Sequence, residues 1–265
     1  MMLRRGDSGD AVANLQRQLQ SQGFALTVDG RFGPATEATV RAYQQREGLA
    51  VDGIAGPQTR AALASADEER THRQHAIRDA AERLGVDIAS IHAVAEVESR
   101  GNGFLPDGRP QILFERHIFR RRLLAHGIDP QPHQQQRPDL ISPHTGGYRG
   151  GAAEYQRLAA AEAIHRQAAI ESASWGRFQI MGFHWQRLGY EAAETFRAAM
   201  EVDDKAHLDA FIRFIATDNG LQQALRGRDW ARFARLYNGP AYAKNQYDLR
   251  LQQAWERHST AGLAS

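Results

Sequence analysis

The chain has 265 residues, 42% of them hydrophobic and 24% charged, enough for one sizeable folded domain and a smaller one rather than a disordered chain. It contains no cysteine, which excludes disulfides and thiolate metal sites, and no apolar stretch approaches the roughly 20 residues of a membrane span. Net charge is +2 with a pI near 9.1, carried almost wholly by arginine, and no RNP, zinc-finger or recognition-helix pattern accompanies it, so nucleic acid is not an expected partner.

The opening MMLRRGDSGD lacks the apolar segment of a secretory signal, so the expectation is a protein made in the cytoplasm that something else must let out. GDSGDAVANLQRQLQSQGF then reads as a helix, with Val12, Leu15 and Leu19 at helical spacing. Asp7, Ser8 and Asp10 are its candidate N-caps, and Gly23 is its stop. VDGRFGPAT at 28–36 returns as VDGIAGPQT at 51–59. In each copy Asp-Gly makes a tight turn and Gly-Pro opens a helix, Pro being tolerated in a first turn. The front of the chain is therefore three small helices, the last one short. ASADEERTHRQH (64–75) is polar, and serves either as linker or as the solvated first turns of the next helix. The expected division is a small domain over 1–66, a linker over 67–75 and a larger domain over 76–265.

Beyond residue 76 the patterns are helical: AIRDAAERLGV, DIASIHAVAEVES, EYQRLAAAEAIHRQAAIESA, FQIMGFHWQRLGY, TFRAAME, KAHLDAFIRFIATD, LQQALRGRDWARFARLYNG and KNQYDLRLQQAWERH. Only RPQILFERHIF (109–119) admits a short strand, and the Pro-, Gly- and Gln-rich stretch 129–151 reads as a long loop. The fold class is all-α. The basic run Arg226, Arg228, Arg232, Arg235, Lys244, Arg250 and Arg257 suits an anionic envelope polymer or is simply solvated surface.

Two glutamates interrupt the apolar run HAVAEVES. A helix advances about 100° per residue. With Ile91 at zero, Ala95 lies near ~40°, Val94 near ~−60°, Ile88 near ~60° and Glu98 near ~−20°, whereas Glu96 lies near ~140°. Glu98 thus sits on the apolar stripe and Glu96 points to water. An apolar setting and the negative end of a helix both disfavour a carboxylate, which suits a group that must carry a proton near neutrality. The competing reading is a core ion pair with Arg100, Arg116 or Arg177.

Residues 3–64, through LRRGDSGDAVANLQRQL, the paired D-G-x-x-G-P-x-T and AYQQREGLAVDG, resemble the peptidoglycan-binding domain found at the ends of many cell-wall hydrolases. That resemblance implies a glycan–peptide groove near the repeated turns, with Asp29, Arg31, Phe32, Tyr43 and Gln44 as candidates, although Phe32 and Tyr43 equally suit a core. ESRGNGF, SASWGRFQIMG and ARLYNGPAY follow in the order of the lysozyme-like fold of goose-type lysozymes and lytic transglycosylases. With DGRPQILFERHIF and YNGPAYAKNQY added, residues 76–262 resemble the N-acetylmuramidase domain of modular phage endolysins.

The resemblance gives Glu98 the role of catalytic acid and Ser99 that of supporting the helix end. Ser174, Trp175 and Gln179 would line the sugar site on one side, Tyr237 and Asn238 on the other, with Trp175 equally acceptable as core. Hydrolysis asks for a second carboxylate. Glu115, set among Ile112, Leu113 and Phe114, is the first choice, against an ion pair with Arg116 or Arg120; Asp107 is the alternative. Eleven histidines show no ligand spacing, so neither metal nor cofactor is expected. The implied protein is a monomeric bacteriophage endolysin that binds peptidoglycan and inserts stably in no membrane. It would wait in the host cytoplasm until a holin-type permeabiliser opens the way to the periplasm and cell wall. A lytic transglycosylase, and a non-catalytic wall-binding or virion structural protein, are the rival readings.

Overall fold

The computed structural model describes residues 2–98, 103–239, 243 and 245–261. Its contacts divide the chain into two compact units, 1–75 and 76–265.

The front unit holds α1 (Asp10–Ser21), α2 (Pro34–Arg46) and the first turns of α3 (Pro57–Leu84). Val12, Leu15 and Leu19 of α1 close on Phe32, Val40, Tyr43, Ala55 and Leu63. None of the expected caps starts α1: Gly9 occupies that position without a side-chain bond, and Asp7 instead accepts from the Arg4 N–H. The third helix is long rather than short. Residues 64–75 are polar all round, but Ala, Glu, Arg and Gln are strong helix formers, and the helix runs through them without a break.

The internal repeat has a specific construction. Gln16 of α1 is buried, and its Nε2 donates to Asp29 Oδ1 (2.8 Å), the Arg31 carbonyl (3.0 Å) and Thr36 Oγ1 (3.0 Å), while its Oε1 accepts from the Asp29 and Gly30 N–H groups. Gln44 of α2 repeats the set with Asp52 Oδ1 (2.8 Å), the Ile54 carbonyl (3.0 Å), Thr59 Oγ1 (3.0 Å) and the Gly53 N–H (2.9 Å). One amide per repeat, donor and acceptor at once, closes the Asp-Gly turn onto the helix before it. Gly30 and Gly53 sit at φ +69° and +73°, the conformation glycine adopts without steric cost. This corrects three expected wall contacts. Phe32, Tyr43 and Gln44 are 2%, 0% and 1% exposed, spent on the core and the clamp, so they present nothing to a polymer. Asp29 and Arg31 remain exposed on the first turn. The Gln16 side-chain bond, then the Arg31 N–H, hold the Asp29 carboxyl below its ordinary range.

The rear unit is helical around a small antiparallel sheet, β1 (Ile112–Phe114), β2 (Ala173–Trp175) and β3 (Ile180–Met181), with Leu113 opposite Ser174 and Ser174 opposite Met181. FQIM, expected in a helix, is therefore strand and turn, followed by one 3-10 turn over Gly182–His184. The helices are α4 (Ile88–Glu98), α5 (Arg116–Ala125), α6 (Gln131–Gln136), α7 (Ala153–Glu171), α8 (Ala193–Met200), α9 (Asp204–Ala216), α10 (Asn219–Arg226), α11 (Trp230–Asn238) and α12 (Tyr247–Ala261). The long loop thus contains a short helix, α6, and the stretch LQQALRGRDWARFARLYNG divides into two helices at Gly227.

Helix α4 packs along α12. It is buried on more than one side: Ser90, Ile91, Ala93, Val94, Val97 and Glu98 are all enclosed. Ile88, placed on the apolar stripe by periodicity, is 44% exposed at the first position of the helix. Glu96 faces outward and bonds Arg257 (2.5 Å) and His258 (2.8 Å) of α12.

Candidate active site

Glu98 is the last residue of α4 and 6% exposed. Val94, one turn back on the same face, and Val97 give it an apolar flank. Asn238, the last residue of α11, donates from Nδ2 to Glu98 Oε1 at 3.0 Å. This bond joins two helix ends separated by 140 positions in the chain. Two of the arginines considered as core partners of Glu98 are engaged elsewhere. Arg116 donates to the His144 and Thr145 carbonyls, and Arg177 to Asp204. Arg100 and Ser99 lie outside the described residues.

Tyr237 precedes Asn238 and fixes where α11 ends. Its ring stacks on Phe233 and meets Phe211 and Phe214 edge-on, and its hydroxyl donates to the Phe178 carbonyl at 2.9 Å. Phe178 lies in the turn between β2 and β3, so the Tyr–Asn pair ties the hairpin to the end of α11.

The hairpin is braced from within. Ser174 Oγ donates to Gln179 Oε1 at 2.7 Å, and Gln179 Nε2 donates to the Gln111 (3.2 Å) and Gly176 (2.9 Å) carbonyls. Gln179 holds φ at +50°, an unfavourable region for a residue with a Cβ, and these bonds keep it there. Ser174 and Gln179 therefore bond each other, and the amide's donors are spent on the turn rather than left for a sugar.

Trp175 is a correction. It is 0% exposed, its Nε1 donates to the Ile170 carbonyl (3.1 Å), and Phe196 packs against it edge-on. An enclosed indole cannot stack on a pyranose; it is core.

Glu115 sits between the end of β1 and the start of α5, its side chain 16% exposed. Neither Arg116 nor Arg120 takes it: Arg120 bonds Gln134. Tyr148, from the long loop, places its hydroxyl 2.9 Å from both carboxylate oxygens, and His117 Nδ1 lies 3.2 Å from Oε2 without hydrogen-bond geometry. Burial first, then the bond to Glu115, push the Tyr148 phenol above its ordinary range, so it stays protonated as a donor. Asp107 is committed to its own turn through the Arg109 N–H and guanidinium, which hold its carboxyl below the usual range. Glu115 therefore stays ahead of Asp107 as a candidate for the second carboxylate.

Sequence reasoning passed over two other buried glutamates. Glu171 takes bonds from Arg122, His126, Gln167 and Trp185, and Glu154 pairs with Arg157. Burial raises both carboxyls, but these donors, the Arg149, Gly150 and Phe114 N–H groups among them, outweigh it and hold both below the ordinary value. The i, i+3 spacing of Glu154 and Arg157 at the head of α7 was the available signal. Among the described residues, no cluster of three histidine or carboxylate side chains could hold a metal ion.

Residues 87–259 match the N-acetylmuramidase family and residues 8–63 a peptidoglycan binding domain family. The crystal structure of the Burkholderia AP3 phage endolysin is similar at 47% identity and a TM-score of 0.71, over 98% of this chain and 100% of that one. A zinc D-Ala-D-Ala carboxypeptidase from Streptomyces albus G shares 50% identity over 51 residues, 18% of this chain, which spans only 20% of that relative's length.

Proposed function

The chain belongs to the N-acetylmuramidase family and carries a peptidoglycan binding domain ahead of that region, and from this premise we propose that it is an endolysin cutting the β-1,4 bond between N-acetylmuramic acid and N-acetylglucosamine. The observation that carries the reading is Glu98, a carboxyl enclosed at a helix end with one oxygen held by Asn238. In this role Glu98 carries the proton that the leaving oxygen receives. As the bond from C1 to the leaving oxygen breaks, Glu98 gives that oxygen its proton. Water adds its oxygen to C1, and Glu115 takes the proton that water sheds.

Glu115 also favours hydrolysis over the transglycosylase alternative, in which the sugar's own hydroxyl closes a 1,6-anhydro ring and no water is oriented. Asp29 and Arg31 remain as exposed candidates for wall contact in the front unit. Docking there raises the local concentration of glycan for the rear unit without adding a catalytic contact. The protein acts as a monomer, held in the host cytoplasm until a holin-type partner permeabilises the membrane.

Glu98→Gln tests the assignment. Release of muropeptides from purified walls falls by roughly 10²- to 10⁴-fold, while co-sedimentation with walls is unchanged. Wild-type products carry one added water by mass spectrometry; anhydro products would give the chemistry to the transglycosylase reading, and lysis by Glu98→Gln would remove Glu98 from its role.

A further inference from the structure

The buried pair Glu154–Arg157 lies outside the proposed reaction, yet it grips the residue before Glu115 and the two residues after Tyr148. The two side chains are 0% and 1% exposed, and lie 2.8 Å apart. Glu154 Oε1 accepts from the Arg149 (2.5 Å) and Gly150 (3.0 Å) N–H groups, immediately after Tyr148. Glu154 Oε2 accepts from the Phe114 N–H (3.1 Å), immediately before Glu115. Arg157 donates to the Phe114 carbonyl (2.9 Å) and, further back in the loop, to the Asp139 carbonyl (3.0 Å). From the other side Arg116, the residue after Glu115, donates to the carbonyls of His144 (3.1 Å) and Thr145 (2.9 Å).

The loop backbone is shaped to match. Tyr148 stands between two glycine pairs, Gly146–Gly147 and Gly150–Gly151, all four at positive φ. Gly147 holds φ +79°, where a side chain is strained, and a Cβ there would also crowd the Arg116 guanidinium at 3.3 Å. The ring of Tyr148 is 45% exposed and owes its place to this frame rather than to burial.

We propose that Tyr148 is a positioning residue: the Glu154–Arg157 clamp and Arg116 fix its phenol on Glu115, which holds that carboxylate in the orientation that receives the proton from water. The proposal rests on the reading of Glu115 as the second carboxylate. A phenol with one proton shared between two oxygens pins both rotation and tilt of the carboxyl plane, while the carboxylate's remaining lone pairs can still accept a proton.

The test uses the full chain and soluble glycan fragments, with Tyr148→Phe, Glu115→Gln and the double variant. All four tryptophans lie in the rear unit, so their fluorescence reports its melting alone. Tyr148→Phe is expected to lower kcat about tenfold to a hundredfold, the worth of one hydrogen bond to a charged group, with KM and the melting transition unchanged. The double variant is expected to be no slower than Glu115→Gln alone. A wild-type kcat in Tyr148→Phe, a rise in KM with kcat intact, or a further loss in the double variant overturns the proposal while Glu115 keeps its role. A wild-type rate in Glu115→Gln instead removes the reading beneath it.

Discussion

The two units solve the same problem, tying a loop to a helix through buried polar side chains, with different chemistry. In front, Gln16 and Gln44 each close a turn alone, because a neutral amide both donates and accepts. In the rear, Glu154 only accepts and Arg157 only donates, so the clamp takes two residues and buries two charges. The amide clamps reach 8 to 20 positions away, whereas the ionic clamp reaches β1, 40 to 43 positions away. The neutral device is modular and repeated; the ionic one, found once among the described residues, frames a candidate catalytic carboxylate. The two are also unequal in how they fail.

Removing one partner of a buried ion pair strands the other charge. Arg157→Met is expected to cost the rear unit about 3–5 kcal/mol, read as an earlier transition in tryptophan fluorescence during denaturation. Activity at temperatures where the unit stays folded should fall with it, as Tyr148 loses its frame. A loss below ~1 kcal/mol would show that the ionic clamp is no stronger than a single ordinary hydrogen bond. Gln44→Ala and Gln16→Ala should each cost the front unit about 1–3 kcal/mol, the price of buried groups left without partners. Amide exchange should accelerate at 52–54 in the first variant and at 29–31 in the second, with the rate on soluble glycan unchanged. Unequal losses would break the equivalence of the two repeats.

Between these extremes stands Asn238, a neutral amide serving a candidate catalytic carboxyl. Asn238→Ala removes the donor to Glu98 Oε1, and kcat should fall about tenfold without a shift in melting. A fall in melting with kcat unaffected would make it one more structural clamp.

How legible this was in the sequence follows the same division. The Asp-Gly and Gly-Pro signals are local, so the front turns were readable from nine-residue motifs, and the facing of Glu98 and Glu96 followed from helical period alone. What failed was residue type used as a proxy for exposure. Phe32, Tyr43, Gln44 and Trp175 have side chains that suit a sugar, but the same side chains fill cores and satisfy buried turns, and nothing local separates the two uses. The length of helix α3 was left open because the polar run 64–75 suited either a linker or the first turns of the next helix; its residues are good helix formers, and the helix runs through them. The bonds from Asn238 to Glu98 and from Tyr148 to Glu115 span 140 and 33 positions. No periodicity encodes such distances, and only the order of motifs hinted at the first of them.

A further effect separates the units by pH. His184, in the 3-10 turn after the hairpin, packs on Phe183 and Phe214; burial, then the charge of Arg187, draw its pKa down to about 4. The unfolded chain binds that proton near pH ~6.5. Between those values the unfolded state holds more protons than the folded one, so this contribution to rear-unit stability is full above ~6.5 and declines as pH falls toward 4. In front, Asp29 and Asp52 are held below their ordinary value, so their contribution is present above ~3.9 and is lost only at more acid pH. Acidification from pH 7 to pH 4.5 should therefore lower the tryptophan-reported transition while amide protection at 29–31 and 52–54 holds. His184→Gln should flatten that decline, because glutamine takes no proton in either state. An unchanged slope in His184→Gln would mean that the acid sensitivity of the rear unit comes from another group.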